Sequence, residues 1–260
     1  MTEDVKSCCA TLYESGFARL LLGDSFHPGG IRLTARLGEK LRLAPGKRVL
    51  DAASGKGESA LFLVERFGCQ VVGIDFGAQN VRESEQRAAA AGVAHLATFR
   101  RGDAEKIDFL DASFDAVICE CAFCTFPDKP AAAAEFARVL RPGGTIGLSD
   151  LTRSAALPQE LEGLLAWIAC IADARPVEEY AAYLEAAGFR KVEIEPHDEA
   201  LEEMVRDIQG RLLGAELMSK LKKLDLAGID FAQAKSLARA ASDAVRARTL
   251  GYAVIAGRRA

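Results

Sequence analysis

The sequence predicts an α/β protein on a doubly wound sheet of seven strands. Three observations predict it. From Lys47 to Asp150, apolar strand-like runs alternate with helix-like stretches, the rhythm of βαβ units. Val49-Leu-Asp-Ala-Ala-Ser-Gly-Lys-Gly-Glu-Ser59 reads as strand, small-residue turn and helix start. Three successive strands of that stretch are followed by an acidic residue: Asp51, Asp75 and Asp103.

In chain order, Arg48–Ala52 is a short apolar strand and Gly57–Arg66 a helix carrying Leu61, Phe62 and Val64. Cys69–Ile74 is the second strand, followed by a helix, Ala78–Ala91, that Gly92 ends. Leu96–Arg100 and Phe114–Cys119 are the third and fourth strands. Lys129–Leu140 is a helix stopped by Pro142-Gly-Gly144, and Thr145–Ser149 is the fifth strand. Right-handed crossovers place helices on both faces of such a sheet. The ends break the rhythm. Tyr13–Leu22 and Ile31–Leu41 are amphipathic helices separated by His27-Pro-Gly-Gly30. Val177–Ala187 is a helix and Lys191–Glu195 a strand. Glu199–Ala247 is helical in pattern throughout, and Gly251–Gly257 is a last strand. A strand that returns after a helical excursion needs the sheet. The expected organisation is therefore a helical N-terminal cap over residues 1–46 and one domain over 47–260, with a helical insertion at about 199–249.

With 50% hydrophobic and 27% charged residues the 260-residue chain has a globular composition. Lys and Arg number 33 against 37 Asp and Glu, a formal charge of -4, which argues against a dedicated nucleic-acid binder. The alanine runs at 88–91 and 131–134 are broken by charges far short of the ~20 apolar residues of a membrane span. Met1–Lys6 has no apolar core and does not read as a secretory signal, so the expected location is the cytoplasm. In that compartment the seven cysteines read as thiols, ligands or core residues rather than a disulfide framework.

Gly55 and Gly57 permit a close backbone approach in the first loop. The loop lacks the third glycine of a dinucleotide fingerprint and the Gly-Lys-Ser/Thr of a Walker loop, and Lys56 reads as a solvated charge. Asp75 lies 18 residues after Gly57 at the tip of the second strand. In a doubly wound sheet that tip shares a crevice with the glycine loop, so its carboxylate can accept both hydroxyls of a ribose. Asp103 is placed to accept from an adenine amino group.

These pieces, together with Val72-Gly-Ile-Asp75, Gly102-Asp-Ala104, Phe114-Asp-Ala-Val-Ile118 and Arg138-Val-Leu-Arg-Pro-Gly-Gly144, resemble the class I methyltransferases that use S-adenosylmethionine. The resemblance covers residues 45–150. It implies the Rossmann-like methyltransferase fold, in which a seventh, antiparallel strand would be Tyr252–Gly257. It implies cofactor contacts from Asp51, Ala53, Gly55, Gly57, Asp75, Phe76, Asp103, Ala104 and Cys119. Ala53-Ser54 stands where the family commonly has Gly-Cys or Gly-Thr, and the residues remain small.

The segment around the fourth strand, Ile118-Cys-Glu-Cys-Ala-Phe-Cys-Thr-Phe-Pro-Asp128, is similar to the arsenite methyltransferases. That resemblance implies arsenic-binding thiolates at Cys121 and Cys170, helped by Cys8 or Cys9, with glutathione or thioredoxin as thiol source. Thiolates are soft donors that select soft centres. Glu120 stands where those enzymes tend to have Asn, Cys119 and Cys124 are additional, and residues 199–250 do not resemble their C-terminal region. Cys119 also reads as a small buried hydrophobe, and Cys121-x-x-Cys124 alone completes no four-ligand zinc site. Two other functions fit the residues. One is methylation of an organic molecule, a quinone, sterol, amine or thiol, with Glu120, His27 or Asp150 as base and Trp167, Phe123 and Phe126 lining an apolar pocket. The other is a protein that binds or senses thiol reagents without turnover. His95 and His197 read as surface residues. Phe17, Leu20 and Leu21 form one apolar stripe; Leu212, Leu213, Leu217, Leu221 and Leu224 form another, suited to packing or dimerisation.

Overall fold

A computed structural model of the chain describes residues 27–161, 171, 173–221 and 230–260. The expected helix over 13–22 and the residues Cys8, Cys9, Trp167, Cys170 and Leu224 lie outside these. In chain order the elements are α1 (Gly30–Lys40), β1 (Arg48–Ala52), α2 (Glu58–Phe67), β2 (Gln70–Asp75), α3 (Ala78–Ala90), β3 (Ala97–Arg101), β4 (Phe114–Glu120), α4 (Lys129–Val139), β5 (Leu140–Arg153), α5 (Val177–Ala186), β6 (Phe189–Pro196), α6 (Asp198–Lys220), α7 (Phe231–Arg246) and β7 (Leu250–Arg259).

Local chemistry sets several of these bounds. The Asp128 side chain caps α4 by accepting from the Ala131 N–H, with Pro130 in the first turn. Asp230 caps α7 on the Gln233 N–H in the same way. Helix α2 stops at Gly68, whose N–H closes on the Val64 carbonyl.

The seven strands form one sheet in the order β3-β2-β1-β4-β5-β7-β6. Strands β1 to β5 run parallel, while β7 lies antiparallel between β5 and β6. The chain order reverses at β1 and β4, both parallel to their neighbours, and the crevice beyond their carboxyl ends is where ligands bind in open α/β sheets. Two apolar clusters cover the sheet. One joins Leu37 of α1 and Leu41 just after it, Leu63 of α2 and Val81 and Ala88 of α3 to Val49, Val71 and Ile118. The other joins Phe136 of α4, Leu184 of α5, Leu201 of α6 and Val245 of α7 to Leu50, Val117, Leu148 and Tyr252.

The architecture is the α/β fold expected, with two local differences. Strand β5 is 14 residues long, not the five of Thr145–Ser149. Leu140 pairs with Phe114 across a register shift, and Thr145–Arg153 pair residue by residue with β7, so tertiary pairing carries the chain in extended form through Pro142-Gly-Gly144. The helical stretch after Asp198 is two helices, α6 and α7, that pack on each other. No helix among the described residues is long and apolar enough to cross a membrane.

Candidate active site

Strand β1 delivers Asp51 to the crevice, where it is 2% exposed. Its Oδ2 has no hydrogen-bond partner among the described residues, nor has the buried Ser54 Oγ beside it in the loop. Burial, and then the neighbouring carboxylates of Glu120 and Asp75, push the Asp51 carboxyl well above its ordinary range. An unsatisfied buried carboxylate is costly, and such groups concentrate at ligand sites.

The loop after β1 turns on left-handed backbone at Ala53 (φ 59°), Gly55 (φ 52°) and Gly57 (φ 75°). Ala53 is strained there as a non-glycine, whereas the two glycines are not. Asp75, at the end of β2, holds the loop down. It accepts from the Gly55 N–H at 2.8 Å through Oδ2, and from Gly77 N–H at 2.8 Å and Asn80 Nδ2 at 3.1 Å through Oδ1. The loop's other anchor is Lys56, which is buried and paired with Glu83 at 3.2 Å, not a solvated charge. Arg87 donates to the Lys56 carbonyl. Beyond β2, Phe76 is half-buried with Arg101 over its ring at 5.5 Å. Asp103 is half-buried and accepts from the Glu105 N–H, and Ala104 is buried next to it.

The fourth strand brings Glu120 to its carboxyl end with a side chain only 4% exposed. Three hydroxyls from three elements donate to it: Ser59 of α2 at 2.6 Å, Thr34 of α1 at 3.1 Å and Ser149 of β5 at 3.3 Å. The Tyr252 hydroxyl of β7 donates in turn to Ser149. His27, buried beside α1, sets Nε2 at 3.8 Å from Glu120 Oε2 and 3.5 Å from both Thr34 Oγ1 and Ser59 Oγ. Sequence reading marked Glu120 and His27 separately; nothing in it signalled that the hydroxyls of Thr34, Ser59 and Ser149 meet there.

Cys121 follows at the strand tip, half-buried and on left-handed backbone (φ 52°), its N–H bonded to the Ser149 carbonyl. Cys119 and Cys124 are fully buried in the apolar cluster. Burial pushes the Cys119 thiol well above its usual range. Asp150 is also fully buried and accepts from the N–H groups of Cys124 and Leu151, which fixes the turn after β4. No cluster of three or more His, Cys, Asp or Glu among the described residues has the makings of a metal site. Cys170, Cys8 and Cys9 lie outside those residues.

Asp51, Asp75 and Glu120 thus make a negative, water-poor crevice at the switch point, with free acceptor capacity on Asp51 and Ser54. A cation that also donates hydrogen bonds fits it. S-Adenosylmethionine carries a sulfonium and an ammonium group, so the residues present suit it.

Known proteins agree. A family model described as a methyltransferase domain matches residues 50–148. The O-methyltransferase cnsE of Penicillium expansum is 32% identical over 207 residues, 77% of this chain and 72% of that protein. The arsenite methyltransferase of Halobacterium salinarum is 31% identical over 180 residues, 68% of this chain but only 46% of its own length. Among solved structures, phosphoethanolamine N-methyltransferase 2 of Haemonchus contortus, in complex with S-adenosyl-L-methionine, superimposes with a TM-score of 0.82 at 18% identity, over 98% of this chain and 60% of that one. The chain belongs to the class I methyltransferases, the family whose cofactor is S-adenosylmethionine.

Proposed function

We propose that the protein transfers a methyl group from S-adenosylmethionine to a small-molecule acceptor lodged at the carboxyl ends of β1 and β4. The observation that carries this reading is the buried Asp51, with one oxygen unpartnered, beside Asp75 and Glu120. When bound, the cofactor supplies an electrophilic methyl group on sulfur. The protein's share is to hold the cofactor, exclude water and align the acceptor. Asp51 and Ser54 receive the methionine end, the left-handed turns at Gly55 and Gly57 shape the loop, and Asp75, Phe76, Asp103 and Ala104 flank the nucleoside. His27 and α1, at the end of the segment 1–46, close the acceptor side, and the helices between about 199 and 249 flank it as an insertion. Neither nucleic acid nor a membrane enters this reading.

A narrower reading, As(III) as acceptor, rests on one observation: Cys121 is half-buried at the tip of β4. The likeness to an arsenite methyltransferase supports it. Cys121 would share the arsenic with Cys170 and Cys8 or Cys9, and glutathione or thioredoxin would supply thiols. The test is methyl transfer from labelled cofactor with glutathione and arsenite, beside an arsenite-free control containing small alcohols, phenols and amines. Methylated arsenic, lost in Cys121→Ser and Cys170→Ser, establishes the narrower reading; product only on an organic acceptor establishes the broader one. Calorimetric binding of the cofactor without any transfer points instead to a binding or sensing protein.

A further inference from the structure

Helix α6 packs one side on the rest of the chain through Leu201, Val205, Leu212 and Ala215. The other side of its last turns is apolar and open. Leu213, Leu217 and Met218, with Leu221 just after the helix, are between 41% and 60% exposed. They are four of the seven exposed large apolar side chains among the described residues, so the open apolar surface is concentrated here. Single exposed leucines are ordinary, but a contiguous run on one helix face marks an interaction surface. Gly210 and Gly214 lie on the same face, one turn apart. Glycine weakens a helix interior, because it loses the most freedom on folding. Among the described residues nothing requires either one: a Cβ added there would meet no atom within 4 Å. What the pair does provide is a notch beside Leu213 and Leu217, where a second backbone can approach closely.

Charge says which partner fits. The first half of α6 carries Asp198, Glu199, Glu202, Glu203 and Asp207 against Arg206. The second half carries Arg211 and Lys220 against Glu216. The helix is therefore acidic at its start and basic towards its end. Laid antiparallel on a second copy of itself, each acidic half meets the other's basic half; laid parallel, like charge meets like. Shape agrees with the antiparallel arrangement. With a two-fold axis passing between residues 213 and 214, Leu217 of each copy faces Gly210 of the other, and Lys220 comes level with Asp207. We infer that this face of α6 is a homodimer interface, in which two copies of the chain pair antiparallel through Gly210, Leu213, Gly214, Leu217 and Leu221. The same surface serves both subunits, as a two-fold pair requires. The acidic half of the helix disfavours the alternative of an anionic membrane surface. Asp207 and Arg211, at the border of the face, also line a cleft of about 240 Å³ between α6 and the start of α1, so the second copy stands at the rim of that cleft. The pairing holds whichever acceptor the enzyme methylates.

Sedimentation of the full chain tests this over about 1 to 100 µM, the range of a small interface one helix wide. The wild type is expected to pass from monomer to dimer across that range, and Leu217→Glu to stay monomeric at its top. The glycines give the sharper test, because their two effects have opposite signs. Gly210→Gln combined with Gly214→Gln is expected to raise the thermal midpoint of the dilute monomer, since glutamine is the better helix former, while weakening the dimer at least about 10-fold, since the notch is filled. Unchanged association in that variant overturns the inference, whatever its stability. Lys220→Glu is expected to weaken the dimer several-fold, and Asp207→Lys in the same chain to recover part of the loss. No loss in Lys220→Glu overturns the antiparallel arrangement. A wild type that is monomeric throughout overturns the dimer itself. If that monomer binds vesicles of phosphatidylcholine and phosphatidylglycerol, and Leu217→Glu does not, the face belongs to a membrane surface instead.

Discussion

On the proposed reading, Asp51 is worth more to the ligand than to the fold. Its buried carboxyl, raised by desolvation and by Glu120 and Asp75, opposes folding once the pH is above the ordinary carboxylate range. The folded chain binds that proton more tightly than the unfolded chain, so the anion is an expense of the native state. Asp51→Asn is therefore expected to raise the thermal midpoint of the cofactor-free protein while weakening S-adenosylmethionine by at least about 10-fold, the loss of one charge-assisted contact. The sign with pH follows. A cationic ligand favours the ionised carboxyl, so binding expels a proton and affinity falls as pH falls. Calorimetry in two buffers of different ionisation enthalpy should show proton release in the wild type and less in Asp51→Asn. Proton uptake, or none, would remove Asp51 from the cofactor site. At this scale the three acidic residues were legible because each sits at the end of its own strand, a local signal. The ring of hydroxyls around Glu120 was not. Thr34, Ser59 and Ser149 come from three elements whose meeting is decided by packing, and serine and threonine carry no periodic mark of their own.

The strands repeat the lesson one level up. Strand β1 keeps its expected bounds because its neighbours in sequence define it, whereas β5 nearly triples because β7, about a hundred residues later, pairs along it. Burial on both faces of β2 leaves room for a glycine and little else. A Cβ on Gly73 would lie 2.4 Å from Phe99 Cδ1 and 2.6 Å from Ser54 Oγ. Phe99 fills the space of the missing side chain and packs against Gly57 as well, so one ring couples β2, β3 and the loop after β1. Gly73→Ala should then displace that ring and cost about 1–3 kcal/mol in urea unfolding, the usual range for overpacking. It should also weaken cofactor binding, because Ser54 has to move. A variant with wild-type stability and affinity would show that the ring yields without disturbing the loop. The same coupling explains a small residue at Ser54: a larger side chain has no space against β2.

Over the whole molecule, the order β3-β2-β1-β4-β5-β7-β6 makes the end of the chain part of its centre. Of that arrangement only the antiparallel last strand was legible, through the resemblance to a known family, since a strand's periodicity does not say which neighbour it takes. Strand β6 reaches the sheet only by way of β7, and it is the edge to which α1 is tied. Arg36 makes a two-pronged pair with Glu195 at 2.9 and 2.8 Å, while Lys40 and His197 meet the same carboxylate at 3.1 and 2.9 Å. Helix α1 also carries Thr34 to Glu120 and packs Leu37 under the sheet, so the clasp at β6 steadies the element that brings Thr34 to that carboxylate. Arg36 foremost, then Lys40 and His197, pull the Glu195 carboxyl down to about 2, against desolvation. A carboxyl lowered by folding adds stability that is fully present above its unfolded value of about 4.3 and is lost as pH falls toward 2. Arg36 is nearly half exposed, so solvent screening limits the gain to about 1 kcal/mol rather than the several that burial would give. Glu195→Gln should accordingly unfold at lower urea than the wild type at pH 6, and the two curves should converge as pH approaches 2.5. High salt at pH 6 should narrow the gap as well, because the pairs lie at the surface. A gap unchanged between pH 6 and pH 2.5 would show that the clasp acts through packing of the side chains, and that α1 is held by Leu37 and its neighbours alone.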